Sequence, residues 1–320
     1  MATDKPKHLQ QVLNSHKMRL KELLLDKHIK ERDEIITALK ENYDNDLYEP
    51  FNSGSYAKNT AVNKKFDFDL MAPFKRNAFA TLEEMFTNVH DFLYEKYKDR
   101  AIIRKQKVSL GLEFHADADG DVVKIDVVPG RELNQDQYKE DNKLNLYVYS
   151  QFGALTAGSD RIRSNIKAQI KNIRDNADKS AIREIIRLLK IWKIHLSKSY
   201  KSFFIELITI KAFEQEDITG DLWDRLKAVL EYIRDNVKIV SLPDPGNSSN
   251  NVADTLSVFD KGLLSYDMQF ILERIEADSD NVKMYFIINS EFPSEEEKQS
   301  NVYYGVKGAG ISIPPPKRFG

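Results

Sequence analysis

Apolar residues between Lys7 and Tyr43 return every three or four positions: Leu9, Val12, Leu13, Leu20, Leu23 and Leu24, then Ile35, Ile36 and Leu39. That period marks one face of an amphipathic helix, so the segment reads as one long helix or two, broken near Asp26. The texture changes at 47–56 (LYEPFNSGSY) and 66–74 (FDFDLMAPF), which read as short strands around a Gly-Ser turn. A helical pattern returns at 82–97 through Leu82, Met85, Phe86, Val89 and Phe92, and strand-like runs follow at 101–108, 110–116 and 122–128. A helix among strands predicts a small mixed sheet covered on one face. Beyond about residue 150 the pattern is helical at 160–175, 180–197, 202–214, 219–236 and 265–278. The stretch 241–253 (SLPDPGNSSNNVA) is too rich in turn formers to read as regular structure. Three consecutive prolines make 305–320 an extended or mobile tail. The fold class is therefore α/β (α+β): a mixed-sheet half with a long N-terminal helix over 1–150, a helical lobe over 151–304 and a tail over 305–320.

Composition narrows the function. The 320 residues hold 48 Lys and Arg against 50 Asp and Glu, so there is no overall positive field to bind a long duplex, although a local basic groove is compatible with it. There are no cysteines, which removes disulfides, thiolate metal sites and cysteine nucleophiles and fits a reducing cytoplasm. No run approaches the ~18 apolar residues of a membrane span, and the opening MATDKPKHLQQ lacks the apolar core of a secretory signal. The expectation is a soluble, cytoplasmic protein. The six histidines (His8, His16, His28, His90, His115, His195) show no metal-ligand spacing and read as structural or exposed.

Chemistry concentrates in Gly54-Ser55-Tyr56 and in Asp67-Phe68-Asp69, which begins eleven positions after Tyr56. In a strand, side chains alternate, so Phe66, Phe68 and Leu70 point to the core while Asp67 and Asp69 share the other face. Two like charges so placed repel unless a cation sits between them, and Mg²⁺ prefers oxygen ligands. In Val122–Val128, Val123, Ile125 and Val127 form the apolar face and Asp126 lies opposite. If these strands are neighbours, Asp67, Asp69 and Asp126 converge into a set able to hold two Mg²⁺ or Mn²⁺ ions for phosphoryl transfer. Gly54 and Ser55 add an anion-binding turn that lets a phosphate approach the backbone.

GSYAKNTAV, FDFDLM and VVKIDVVP together resemble the polymerase β-like nucleotidyltransferase superfamily. RLLKIWK (187–193), KSFFIELITIKAF (201–213) and DPGNSSNNVA (244–253) resemble, within it, the bacterial cGAS-like nucleotidyltransferases, relatives of cyclic GMP–AMP synthase and oligoadenylate synthase. The likeness spans roughly residues 50–255. It implies an active site in the cleft between sheet and helical lobe, where nucleoside triphosphates, ATP among them, are joined into a cyclic di- or trinucleotide that acts on a downstream effector protein in anti-phage signalling. Asp67, Asp69 and Asp126 are then metal ligands and catalytic residues. Gly54, Ser55, Lys190 and Ser202 bind the nucleotide's phosphates, and Phe203 stacks on a base. By pattern alone, Ile182, Ile185, Ile186, Leu189, Trp192 and Leu196 form a buried stripe, and Arg183, Arg187 and Lys190 also suit a solvated basic face. Phe203 equally suits a core position. Without cysteine, the zinc insertion of the metazoan DNA sensor cannot form, and activation by duplex nucleic acid is not expected. Some relatives are conjugated through a C-terminal glycine by a ubiquitin-activating-like enzyme, which makes Gly320 a candidate attachment point. An RNA-terminal or linear-oligonucleotide nucleotidyltransferase, or a non-catalytic nucleotide-binding regulator, are the competing functions.

Overall fold

The computed structural model describes residues 2–64, 67–150 and 161–293; Phe66 and the tail with Gly320 lie outside them. The first helical pattern is split. Helix α1 (Lys5–Ser15) ends at His16, and α2 (Glu22–Tyr43) starts after a short 3-10 turn at Met18–Lys21. The break therefore comes well before Asp26. Packing explains it: Leu9, Val12 and Leu13 of α1 join the core of the helical lobe, whereas Ile35 and Leu39 of α2 join the core beneath the sheet. One straight helix cannot serve both.

Among the described residues the sheet has seven strands. β1 (Phe51–Ser53), β2 (Phe68–Phe74), β3 (Ala101–Lys105), β4 (Leu110–Phe114) and β5 (Lys124–Glu132) lie in the order β1-β2-β5-β4-β3. β2 and β5 are parallel and the other pairs antiparallel. β5 is long enough to pair β4 along its first half and β6 (Leu144–Tyr147) along its last residues, and β6 in turn pairs β7 (Arg161–Ser164). The sequence pattern does not announce β6 or β7. Residues 161–164, expected to open a helix, extend the sheet instead, and the helix α6 (Ile166–Arg174) begins at an Asn165 cap.

Phe68, Leu70, Ala72 and Phe74 of β2 and Ile125 and Val127 of β5 turn toward α2 and α4 (Leu82–Tyr97), as the alternation predicts. Thr81 caps α4, its hydroxyl accepting from the Glu84 N–H at 3.0 Å. The opposite face is divided. Met71 and Val128 pack with Leu144, Leu146 and Tyr138 of the single-turn helix α5 (Tyr138–Asp141). Asp69 and Asp126, two residues earlier on each strand, are left outside that apolar cluster.

The helical lobe holds α7 (Lys179–His195), α8 (Ser202–Gln215), α9 (Leu222–Asn236), α10 (Val258–Ala277) and α11 (Val282–Tyr285) around one apolar core. On α7, Ile182, Ile185, Ile186, Leu189 and Trp192 are buried as expected, but Leu196 is the C-cap and is 38% exposed. Residues 241–253 are more ordered than their composition suggests. They form the hairpin β8 (Pro243–Asp244) and β9 (Asn247–Asn251), held because Asp244 Oδ1 accepts from the Gly246 N–H at 2.8 Å and from Gln169 Nε2 of α6 at 2.9 Å. Among the described residues no helix is long and apolar enough to cross a membrane.

Candidate active site

A lateral row across four strands defines the site. Ser53 of β1 stands opposite Asp69 of β2, Asp69 opposite Asp126 of β5, and Asp126 opposite Gly111 of β4. The two aspartates are thus neighbours on adjacent parallel strands, which is the condition the sequence left open. Asp67 lies just before β2, exposed, so strand alternation does not set its direction as expected; it lines a cavity together with Asp69 all the same.

Chain reversal at the Gly-Ser turn is built for contact with Asp69. After β1 the chain enters a single helical turn, α3 (Gly54–Ala57), through Gly54 at φ +61°. A methyl group on Gly54 would lie 1.7 Å from Asp69 Oδ2. Glycine is required twice, for the left-handed backbone and for the close approach. Ser53 Oγ donates to the Asp69 carbonyl oxygen at 3.2 Å and ties the turn to β2. On the far side, Gln106 Nε2 donates to Asp126 Oδ1 at 3.1 Å, and Ser109 Oγ donates to Gln106 Oε1 at 2.9 Å. Gly111 makes room for that amide, since a Cβ there would stand 2.3 Å from Gln106 Nε2.

The aspartates repel one another. Burial first, then the charges of Asp67 and Asp126, push Asp69 up to about 7. Burial and Asp67 push Asp126 up to about 6 against the opposing Gln106 hydrogen bond. Carboxylates held at such a cost in one place are those a divalent cation relieves.

A cavity of about 630 Å³ opens beside them, lined by Gly54, Ser55, Asp67 and Asp69 on the sheet side and by Lys190, Ser202 and Phe203 on the helical side. Seven of the eight residues singled out from sequence meet there; Asp126 is beside it, through its pairing with Asp69. Lys190 is not on a solvated basic face. It is 5% exposed, and its Nζ donates to Glu206 Oε1 at 2.7 Å and to Thr60 Oγ1 at 2.9 Å. Phe203 is half-buried, packed against the helical core on one side and facing the cavity on the other, with Lys58 Nζ 4.6 Å from its ring centre. Ser202 Oγ accepts from Lys193 Nζ at 3.0 Å.

Gln106, Lys58, Thr60, Lys193 and Glu206 are functional candidates that sequence reasoning does not single out. Glu206 had a signal: it is the single acid inside the apolar run FFIELITI, and a charge there must find a partner. Elsewhere, Asp117, Asp119 and Asp121 crowd the β4–β5 turn, but Lys27 Nζ already lies 2.6–2.8 Å from all three. His8, His16 and His28 are buried; His8 Nε2 is 2.7 Å from the Phe286 carbonyl oxygen and His28 Nδ1 2.8 Å from that of Leu24, consistent with structural roles.

No protein-family model matches the sequence, and no curated protein matches it either. Solved structures do. The chain superposes on CdnC of E. coli MS115-1, solved with ATP, with a TM-score of 0.66 at 18% identity, covering 89% of this chain and 98% of that one. The CD-NTase CdnG of Bradyrhizobium diazoefficiens, solved with GTP, gives 0.69 at 11% identity over 89% and 96%. The cyclic dinucleotide synthase CdnE of Elizabethkingia meningoseptica, solved with GTP and Apcpp, gives 0.62 at 16% over 82% and 97%. The chain therefore has the fold of the bacterial cGAS-like nucleotidyltransferases.

Proposed function

We propose that this chain is a template-independent nucleotidyltransferase that joins nucleoside triphosphates, ATP among them, into a cyclic di- or trinucleotide. One observation carries the reading: Asp69 and Asp126 are register partners, the Gly54-Ser55 turn lies against Asp69, and Lys190, Ser202 and Phe203 face them across one cavity. Asp67, Asp69 and Asp126 would hold Mg²⁺ or Mn²⁺, two ions in all. The donor set fits, being all oxygen, mutually repelling and next to a turn with no side chain in the way. Bound there, such ions neutralise triphosphate charge and lower the pKa of an acceptor hydroxyl.

The chain's own residues then account for the rest. The Gly54-Ser55 turn admits a phosphate to the backbone, and the Ser55 hydroxyl donates to its oxygens. Phe203 offers a ring face to the donor base. Lys190 and Ser202 stand on the wall across from the aspartates, where they take up charge as pyrophosphate leaves. In the transfer the acceptor ribose hydroxyl attacks the α-phosphorus, the bond to pyrophosphate breaks and the hydroxyl proton passes to solvent water. A second transfer on the bound linear intermediate closes the ring, a step supported by the fold shared with a cyclic dinucleotide synthase. A role in phage defence through a product-binding effector follows from the same resemblance.

The test is incubation with all four NTPs and Mg²⁺ or Mn²⁺, then phosphatase treatment and mass spectrometry. A phosphatase-resistant cyclic product that disappears in Asp69→Asn and Asp126→Asn supports the proposal. Linear oligomers or extension of added RNA would place the chain with linear-product enzymes. NTP binding without turnover would make it a regulator.

A further inference from the structure

Three charged side chains meet at the back of the cleft, nearly shut off from water. Lys58, at the end of α3, is 6% exposed, Lys190 of α7 5% and Glu206 of α8 3%. Glu206 Oε2 accepts from Lys58 Nζ at 2.8 Å, and Glu206 Oε1 accepts from Lys190 Nζ at 2.7 Å and from Thr60 Oγ1 at 3.1 Å. Lys190 Nζ also donates to the Thr60 carbonyl oxygen at 3.3 Å. One carboxylate therefore joins residues of the Gly-Ser segment to two helices of the other lobe.

The charges do not cancel. Two ammonium groups face one carboxylate, and all three residues line the cavity with Ser55 and Ser202. The residual charge is positive and lies on the wall where a triphosphate would sit. With Glu206 neutral, two ammonium groups would share a dry site without a counter-charge, which favours loss of the proton from Lys190.

We propose that Glu206 is a positioning residue for the triphosphate end of the cleft, holding Lys58 and Lys190 in place so that the nucleotide meets two preset cations. This rests on the reading of the cleft as a nucleotide site. The charged groups acting on Lys190 are Glu206, Lys58 and Asp69. Lys58 and Lys190 hold the Glu206 carboxyl below the ordinary glutamate range although burial alone would raise it, and Asp69 is the further acid that interacts with it. Burial draws Lys190 below the ordinary lysine range and Glu206 opposes this, so loss of the carboxylate lowers it further.

Binding of α,β-methylene-ATP with Mg²⁺, measured by calorimetry from about pH 7 to about pH 9.5, tests the proposal. Glu206→Gln is expected to bind at least about tenfold more weakly near pH 8, with the deficit widening as pH rises and Lys190 loses its proton. A scaffold role alone would give a deficit that does not change with pH. Glu206→Asp keeps the charge and should keep the wild-type pH profile; it also serves if the glutamine variant fails to fold. In a double-mutant cycle, Glu206→Gln should cost less binding in the Lys190→Met background than in the wild type, the remaining loss being that of Lys58, which Glu206 also holds. Additive losses, or a Glu206→Gln profile identical to wild type, overturn the role of Glu206. Wild-type binding by Lys190→Met instead overturns the placement of the triphosphate at Lys190, and the positioning role with it.

Discussion

Gly54 shows how little freedom the site leaves at single residues. Its φ is +61°, and a methyl group added there would stand only 1.7 Å from Asp69 Oδ2, so Gly54→Ala must move either the turn or the carboxylate. Turnover in the NTP assay should fall at least about a hundredfold, since a displacement on the order of 1 Å at reacting groups has that effect. The strained backbone should also lower stability by about 1–3 kcal/mol, read from urea denaturation. Asp69 predicts a pH dependence. Its folded pKa of about 7 stands above the ordinary 3.8, so between those values the folded chain binds more protons than the unfolded one. Metal-free protein should therefore lose stability as pH rises from about 4 to about 7 and level off above, with Asp126 contributing in the same direction up to about 6. Denaturation in EDTA at several pH values checks this. Asp69→Asn should flatten the slope, and Mg²⁺ should restore stability above pH 7 in the wild type.

At the scale of elements, much is legible in the chain alone. The alternation in FDFDL and VVKIDVV predicts two strands with apolar residues to the core and carboxylates on the other face; β2 and β5 are such strands for Asp69 and Asp126, while Asp67 falls just before β2. Segments that lack a pattern of their own are not legible in this way. Arg161–Ser164 is too short to outweigh the helical period that follows it, and becomes a strand because β6 offers an open edge. The β8–β9 hairpin is held by contacts outside itself. A Cβ on Gly246 would lie 2.8 Å from both backbone N and O of Asn165, the residue that caps α6. Gly246→Ala should force hairpin and helix apart and lower the urea midpoint by the equivalent of about 1–3 kcal/mol, with the m-value unchanged.

Over the whole molecule, the two larger of three apolar cores are joined through polar contacts in the cleft and through the α1–α2 break, where one helix belongs to each of them. Arg174 Nε donates to the Ala57 carbonyl oxygen at 3.0 Å and Arg183 Nε to that of Lys58 at 3.1 Å, so the helical lobe also grips the Gly-Ser segment by its backbone. Glu206 is the carboxylate of this junction, buried together with Lys58, Thr60 and Lys190. Glu206→Ala should destabilise the protein by about 3–5 kcal/mol in thermal or urea unfolding, because Lys58 and Lys190 would be left buried without a counter-charge. The apolar triple variant Lys58→Met/Glu206→Leu/Lys190→Met should recover most of that stability while NTP turnover stays lost, separating what the charges do for folding from what they do for the site.

Sequence alone determined the strands that carry Asp69 and Asp126, a glycine turn ahead of the first of them and the helical character of the second lobe, because hydrophobic period and turn chemistry are local properties. It left undecided whether the two aspartate strands are neighbours, and it placed Lys190 with a solvated face or the donor triphosphate without seeing its partner. Tertiary structure made the two strands neighbours and buried Lys190 against Glu206. Strand pairing and the burial of a charge depend on residues far apart in the chain: Asp69 meets Asp126 across 57 positions, and Lys58 meets Glu206 across 148.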